Sequence, residues 1–311
     1  MSVTLRDVAK KAGVSIVTAS RVFNGKESVK PAFKKKVFDA AKSLNYTPNL
    51  LARGLAKSNL KIISVYMGEL ENPYFGSLAT NLAKEFTKYS YELIICDSIS
   101  KTLELNRSLA TSGSVLVSFG KKEVLEKITE THPVVGISCT MTDNANIPNI
   151  DLDFKDAYTE LYERAVYSDK DKIAFYSPLL RQYPHLSGSK FIHVYSAMKR
   201  KGHTPAGDQI FADDDAVISF MELSPGSINC VFCENDMQAA RLHGKLIKKG
   251  YKVPEDVIVI GCDGTLVLDG MWSVKIDTAK IAAKAAELFR DHAINGASNG
   301  THTIKPEPIY K

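Results

Sequence analysis

The stretch Val3-Thr4-Leu5-Arg6-Asp7-Val8-Ala9-Lys10-Lys11-Ala12-Gly13-Val14-Ser15, continued by Ile16-Val17-Thr18-Ala19-Ser20-Arg21-Val22-Phe23, decides the fold of the N-terminus. Thr4 can cap a first helix whose apolar residues fall on one face, and Gly13 ends that helix. Ser15 can cap a second helix, which runs to the end of the stretch. Two short helices joined by a glycine-containing turn predict a helix-turn-helix.

A third helix is predicted to complete this N-terminal unit. Pro31 suits the first turn of a helix, because its missing N–H group is one that a helix leaves unpaired there. The apolar residues that follow it at helical spacing are Phe33, Val37, Phe38, Ala41 and Leu44. This stripe predicts a small three-helix core.

Positive charge is concentrated in the same segment. Residues 1–57 hold twelve Lys/Arg against three Asp/Glu, whereas the whole chain has a formal net charge of only +5. A basic N-terminus on a slightly acidic remainder indicates a polyanionic partner for the N-terminus alone. The exposed side of the second helix carries groups that hydrogen-bond phosphates and base edges. The alternative is a generic helical bundle with a solvated basic face.

These residues also resemble a known family. Residues 3–15, together with Thr18-Ala19-Ser20-Arg21-Val22-Phe23-Asn24-Gly25, look like the LacI/GalR transcriptional regulators. The segment Leu44-Asn45-Tyr46-Thr47-Pro48-Asn49-Leu50-Leu51-Ala52-Arg53-Gly54-Leu55 resembles the hinge of that family. The resemblance implies a sequence-specific regulator that binds double-stranded DNA, with a helix-turn-helix domain over 1–45 and a hinge helix or linker over 46–59.

The resemblance also assigns roles on DNA. Ile16, Val17 and Arg21 take base-reading positions, and only Arg21 has the hydrogen-bonding groups to read guanine. The phosphate-contacting positions are Thr4, Ser15, Thr18, Ser20 and Asn24. Further DNA-contacting positions are Leu5, Arg6, Asn49, Ala52 and Arg53.

The hinge indicates that two chains act together. A helix as short as 49–57 is marginal alone in water. In the family, two such hinges are ordered by DNA and by each other, and Leu55 matches the leucine that wedges into the minor groove. The alternative is a plain linker helix. Because one small head buries too little surface for tight specific binding, we expect a homodimer.

After Asn59 the pattern changes to short apolar runs alternating with amphipathic stretches. The predicted strands are 62–67, 93–96, 115–117, 134–137, 173–176, 230–232 and 257–260. The predicted helices are 75–89, 124–129, 156–167, 190–201, 237–249 and 279–293. This alternation predicts parallel βαβ sheets, and the length of 60–311 predicts two of them, roughly 60–155 with 279–300 and 156–278 with 301–311.

The second part also resembles the family, which implies an α/β, periplasmic-binding-protein-like body of two doubly wound parallel-sheet subdomains. The matching landmarks are Asn72-Pro73-Tyr74-Phe75, Phe232-Cys233-Glu234-Asn235-Asp236 and the run from Val253 to Asp263. Ligands of such folds bind where the strands end. The predicted effector-binding residues are Tyr74, Phe75, Asp153, Lys190, Asn235, Asp263 and Trp272. Their carboxylates, amide and rings suit a sugar-like ligand. Taken singly, each could instead be a strand-end cap or a core aromatic.

The sequence departs from the family in this region. Lys190 stands where many relatives carry an arginine that contacts effector, so the bidentate fork is lost. Cys262-Asp263-Gly264-Thr265 lacks the usual second acid, and Gly270-Met271-Trp272-Ser273 replaces a proline-rich stretch. These departures predict an unusual effector or a pocket without one.

Other functions receive less support. We find no nucleophile elbow, phosphate loop, dinucleotide fingerprint or zinc motif, so we expect no enzyme, cofactor or metal. Cys230 and Cys233 form a C-x-x-C, but in an apolar run they indicate small core residues. Five cysteines and no apolar run of about 18 residues indicate a cytoplasmic protein without a membrane span. The alternatives are a regulator of this fold controlled by a protein partner, and a solute-binding protein without a regulatory role.

Overall fold

The computed structural model describes residues 3–23, 29–47, 60–68, 70–118, 120, 128, 133–139, 147–166, 172–178, 190–202, 209–296 and 300–311. The chain divides into a small N-terminal unit, called the head, and a larger unit, called the body. The hinge predicted over 46–59 and the helix predicted over 124–129 lie almost entirely outside the described residues.

The described part of the head consists of α1 (Leu5–Ala12), α2 (Ile16–Phe23) and α3 (Pro31–Ser43). Thr4 caps α1 through a reciprocal pair of hydrogen bonds with Asp7, and Gly13 ends it in the left-handed conformation with φ 66°. Because a residue without Cβ adopts this conformation without strain, the chain can turn directly into α2. The predicted helix-turn-helix is therefore confirmed.

The core of the head is made of smaller side chains than the sequence predicted. Val37, Ala40 and Ala41 of α3 are buried against α1 and α2. Phe33 and Phe38, which we placed in the core, are 40% and 51% exposed. The helices approach closely enough for alanine to fill the centre, so the large rings stay at its edge.

The body contains two six-stranded sheets. The first has the order β2-β1-β3-β4-β5-β11. Its strands are β1 (Leu60–Tyr66), β2 (Glu92–Cys96), β3 (Thr111–Val117), β4 (Val134–Ile137), β5 (Asn149–Leu152) and β11 (Thr301–Ile304). The second has the order β7-β6-β8-β9-β10-β12. Its strands are β6 (Ile173–Tyr176), β7 (Ile210–Phe211), β8 (Cys230–Cys233), β9 (Ile258–Ile260), β10 (Trp272–Lys275) and β12 (Glu307–Tyr310).

Seven helices connect the strands in the described part of the body. They are α4 (Pro73–Thr87), α5 (Ile99–Leu109), α6 (Lys155–Ala165), α7 (Ile192–Arg200), α8 (Asp214–Leu223), α9 (Asp236–Lys248) and α10 (Thr278–Asn295). Helix α10 packs on α4 and β4 of the first sheet, whereas α6 packs on β12 of the second. No helix in the described ranges combines the length and the apolar character needed to cross a membrane.

Both sheets have the doubly wound order in which the chain reverses direction between the first and third strands. In the described pairings the strands run parallel, except that β12 is antiparallel to β10. Such sheets place a crevice outside the carboxyl ends of the strands, at the point of reversal. The predicted α/β fold class is confirmed.

One predicted boundary is corrected. We assigned 301–311 to the second sheet, but Thr301–Ile304 pairs with Asn149–Leu152 in the first. Only Glu307–Tyr310 returns to the second sheet, beside β10. The two terminal strands have similar short, mixed sequences, so their pattern carries no information about which sheet they join.

Candidate functional site

Helix α2 presents one apolar-and-basic face to solvent. Ile16 and Val17 are 43% and 60% exposed, and Arg21 is also exposed. The opposite side of the helix, with Ala19 and Val22, is buried in the head. Val17 and Arg21, four residues apart, share one face of the helix, and Ile16 lies beside Val17 on the same exposed side.

Hydrogen bonds fix the first turns of both helices. The Ser15 hydroxyl accepts from the Thr18 N–H at 3.0 Å, and the two hydroxyls are 2.8 Å apart. The Thr4 hydroxyl donates to the Asp7 carboxylate at 2.7 Å. Hydrogen bonds from Thr4 lower the pKa of Asp7, so this cap stays ionised near neutral pH. These caps satisfy N–H groups that the first turns of α1 and α2 would otherwise leave unpaired.

The structure describes only some of the remaining residues that were predicted to contact DNA. Leu5 is half-buried in the head core, while Arg6 is exposed beside it. Ser20 is half-buried. The predicted contacts Asn24, Asn49, Ala52, Arg53 and Leu55 lie outside the described residues.

In the body, side chains from the strand ends of both sheets meet. Asn72, which follows β1, caps α4 by accepting from the Tyr74 N–H at 3.0 Å. Its amide nitrogen donates to Asp263 Oδ2, at the end of β9, at 3.1 Å. This hydrogen bond joins a loop of the first sheet to a strand end of the second. We call the crevice around it the cleft.

Asp263 has a strained backbone. Its φ of 108° lies in a region that residues with a Cβ rarely adopt. Its N–H donates to the Val274 carbonyl at 2.8 Å, and its carbonyl accepts from the Ile276 N–H at 3.2 Å. Burial raises the pKa of Asp263 to about 6, although Lys190 and Asn72 oppose the shift. A strained, buried carboxylate is typical of a functional site.

Lys190 is the cation of the cleft. Its Nζ lies 3.4 Å from Glu234 Oε1, and the side chains are only 16% and 17% exposed. Burial opposes the charge on Lys190, but nearby acidic groups, Glu234 and Asp263 among them, outweigh burial and hold the pKa of Lys190 above its ordinary value. The ammonium therefore stays protonated at physiological pH.

Asp236 holds the loop that follows Asp263. The fully buried Asp236 carboxylate accepts from the N–H groups of Thr265 and Leu266 at 2.6 and 3.1 Å. It also accepts from the Ser273 hydroxyl at 2.5 Å. These bonds tie the start of α9 to β10 and fix the path of the chain through Asp263.

Four further residues were predicted to bind the effector: Tyr74, Phe75, Asn235 and Asp153. Tyr74 is 7% exposed, and its ring packs edge-on against Phe75 at 5.1 Å. Burial raises the pKa of Tyr74, and the Asp263 carboxylate adds to the shift. Asn235 caps α9 through the Gln238 N–H at 3.1 Å. Asp153 accepts from the Lys155 N–H at 3.0 Å.

Trp272 is placed differently. It stands at the start of β10, next to Ile260, whereas Asp263 bridges to Lys275 at the other end of that strand. Its ring packs edge-on against Tyr310 at 5.1 Å, with the Arg164 guanidinium 6.0 Å from its centre. None of its described contacts involves Asn72, Lys190 or Asp263.

Sequence reasoning missed Asn72, Glu234, Asp236 and His193. The first three stand in motifs that resemble the family, but we selected only their neighbours. His193 follows Lys190 by three residues, and burial lowers its pKa although Asp153 acts in the opposite direction. A helical spacing from Lys190 was the one signal for His193 in the sequence.

The cysteines have core positions. Cys230 packs in the cluster with Ile173 and Phe232, and Cys233 packs with Ala174 on the other side of the sheet. The two thiols face opposite ways, as residues three apart in a strand do, so they cannot hold one ion together. The described ranges contain no group of His, Cys, Asp and Glu arranged for a metal.

Comparison with known proteins agrees with both units. Residues 4–49 match the family model of bacterial regulatory proteins, lacI family, and residues 181–311 match a periplasmic binding protein-like domain. A catabolite control protein A from Priestia megaterium is 27% identical over 280 residues, which cover 85% of this chain and 83% of the relative.

Solved structures share the fold over the whole length. A LacI-family transcriptional regulator from Silicibacter pomeroyi is 20% identical with a TM-score of 0.78, covering 99% of this chain and 98% of that one. A lac repressor dimer bound to operator and the anti-inducer ONPF is 18% identical with a TM-score of 0.78 at the same coverage. The chain therefore combines a lacI-type helix-turn-helix head with a periplasmic-binding-protein-like domain, and it is similar to LacI/GalR transcriptional regulators over most of its length.

Proposed function

We propose that the protein is a cytoplasmic, homodimeric repressor whose head reads an operator and whose cleft binds a small, sugar-like effector. The observation that carries the proposal is the exposed face of α2, with Ile16, Val17 and Arg21 on one surface. Two apolar side chains favour edges such as the thymine methyl group, and Arg21 supplies a guanine reader. A lac repressor dimer bound to operator has the same fold, which supports pairing of two heads.

Substituting Arg21 tests the reading role. Arg21→Ala should weaken binding to a selected operator by about 1–3 kcal/mol and largely spare binding to random DNA. The control is Lys36→Ala, which removes the same charge from an exposed position of α3. Fluorescence anisotropy titrations give the affinity of each protein for the operator and for random DNA, and the ratio of the two affinities measures specificity. Equal losses on the two duplexes for Arg21→Ala would remove Arg21 from the base-reading role.

The effector is proposed to act by changing the closure of the cleft and thereby the spacing of the two heads. Such coupling requires that both sites bias one shared equilibrium. A thermal-shift screen of sugars and nucleosides identifies the effector, because a ligand that binds only the folded state raises the melting temperature. The same ligand should then change operator affinity in the anisotropy assay.

A second candidate is a regulator of this fold controlled by a protein partner. It is favoured by the pairing of the cleft groups with each other, Asp263 with Asn72 and Lys190 with Glu234. A cleft whose polar groups are satisfied internally has less to gain from a small ligand. This candidate would be favoured if no metabolite altered operator affinity while a protein-sized fraction of a cell extract did.

A further inference from the structure

The buried ammonium of the cleft is neutralised from inside the protein. Lys190 comes from the start of the segment that forms α7, and Glu234 comes from the end of β8. The Glu234 N–H donates to the Tyr176 carbonyl at 2.9 Å, which fixes the backbone at the strand end. The Lys190–Glu234 pair therefore joins the start of the α7 segment to the end of β8.

The other ionisable groups around Lys190 leave the cleft negative. Asp263 interacts with Lys190, whereas on the first turn of α7 the opposite charges of Asp153 and Lys155 both act on His193. Burial raises the pKa of Tyr74, Tyr158 and Cys262, so these groups remain neutral. Among the described residues beside Lys190, one ammonium thus faces the two carboxylates of Glu234 and Asp263.

This balance decides which ligand charge the cleft accepts. An anionic group brought to Lys190 would lie beside Glu234 and Asp263, and like charges placed together in a desolvated site are strongly unfavourable. Hydroxyl or ammonium groups of a ligand can instead donate hydrogen bonds to the Asp263 carboxylate, which also accepts one from Asn72. The charge pattern therefore opposes phosphorylated and carboxylated ligands.

We propose that Glu234 is a specificity-determining residue of the cleft, which by pairing with Lys190 excludes anionic effectors and restricts the site to neutral or cationic donors. The inference rests on the proposed function in taking the cleft as the effector site. It goes beyond that function in assigning a role to Glu234 and a charge class to the ligand.

Removing Glu234 should convert the cleft into an anion site. In Glu234→Gln the buried Lys190 loses its closest carboxylate, and a buried charge without its partner favours any counterion that can reach it. The probe is inorganic phosphate, titrated calorimetrically into the full-length protein. We expect the variant to bind phosphate on the order of tenfold more tightly than the wild type, or more. The double variant Glu234→Gln/Lys190→Gln should lose the gain.

The matched control is Glu222→Gln. Glu222 also pairs with a lysine, Lys249, at 2.6 Å, but both side chains are about half exposed. Removing this carboxylate should leave phosphate affinity unchanged, because solvent already screens the pair. The basic head is identical in all four proteins, so phosphate bound there cancels from the comparison.

Two outcomes would overturn the inference. One is a well-folded Glu234→Gln protein, judged by circular dichroism and thermal melting, without a gain in phosphate affinity. The other is phosphate binding by the wild type that the Lys190→Gln substitution abolishes. This second comparison does not need Glu234→Gln, so it can be made even when that variant fails to fold. Operator titrations on the same proteins test the proposed function separately, since no phosphate result enters them.

Discussion

The buried carboxylate of Asp236 is the strongest single test of how the cleft is held. Asp236→Ala removes the acceptor of three hydrogen bonds, two from the N–H groups of Thr265 and Leu266 and one from Ser273. The N–H groups lie in partly exposed residues and can recover water, so each loss is worth about 0.5–1.5 kcal/mol. The buried Ser273 hydroxyl loses its acceptor, which adds about 1–3 kcal/mol. We expect the free energy of unfolding to fall by about 2–6 kcal/mol.

Urea unfolding of the full-length protein measures this loss as a shift of the midpoint at unchanged slope. Asp236→Asn, which keeps the side-chain size and one carbonyl oxygen, should lose a smaller amount. Asp215→Ala is the control, because Asp215 is 81% exposed and pairs with Lys245 on the surface. If Asp236→Ala were no less stable than Asp215→Ala, the carboxylate would not be holding the loop.

Gly264 has φ 69°, and a Cβ there would lie 2.7 Å from Lys275 Cα, so Gly264→Ala should destabilise the body by more than about 1 kcal/mol. Gly244→Ala, in α9 with no atom within 4 Å, should stabilise it by about 0.5–1 kcal/mol, and changes of the same sign in urea unfolding would contradict this reasoning. Burial raises the pKa of Asp263 from 3.8 to about 6, so the folded body takes up a proton in that range. The wild type should therefore gain stability relative to Asp263→Asn as the pH falls from about 7.5 to about 5, and a constant difference would count against the shift. Leu55→Ala should reduce operator bending in a gel assay, and unchanged bending would refute the proposed wedge.

The head could be predicted from sequence because local signals decide it. Thr4, Gly13 and Ser15 act through hydrogen bonds and backbone conformation within a few residues, and these effects are visible in the sequence. The prediction failed at Phe33 and Phe38, where helical periodicity indicated core positions. Periodicity gives the face of a helix but not the distance to its neighbours, and here that distance admits only small side chains.

The cleft was harder to predict, because its contacts join segments far apart in the chain. Asn72 and Asp263 are 191 residues apart, and nothing near either residue indicates that they meet. Asp263 could be selected through the run that ends β9, whereas Asn72 and Asp236 have ordinary capping or structural roles in their own segments. The strands β5, β7, β10, β11 and β12 were also missed, because they are only two to four residues long. Pro308 lies in β12, which is the edge strand beside β10 in the described sheet, where proline is tolerated.

The energetics of the Asp263 loop favour the effector-controlled regulator over a regulator with an unused cleft. A residue with a Cβ at φ 108° is destabilising by about 1–3 kcal/mol, and its buried carboxylate adds a desolvation penalty. Neither feature is needed to hold β9 against β10, since those bonds are made by backbone groups. A body that used only its outer surface would be more stable with glycine or asparagine at this position, because both tolerate positive φ without a charge. A need to keep the Asp263 carboxylate aimed into the cleft explains the strain. There a ligand that donates hydrogen bonds can take the place of the Asn72 amide or bind the carboxylate beside it.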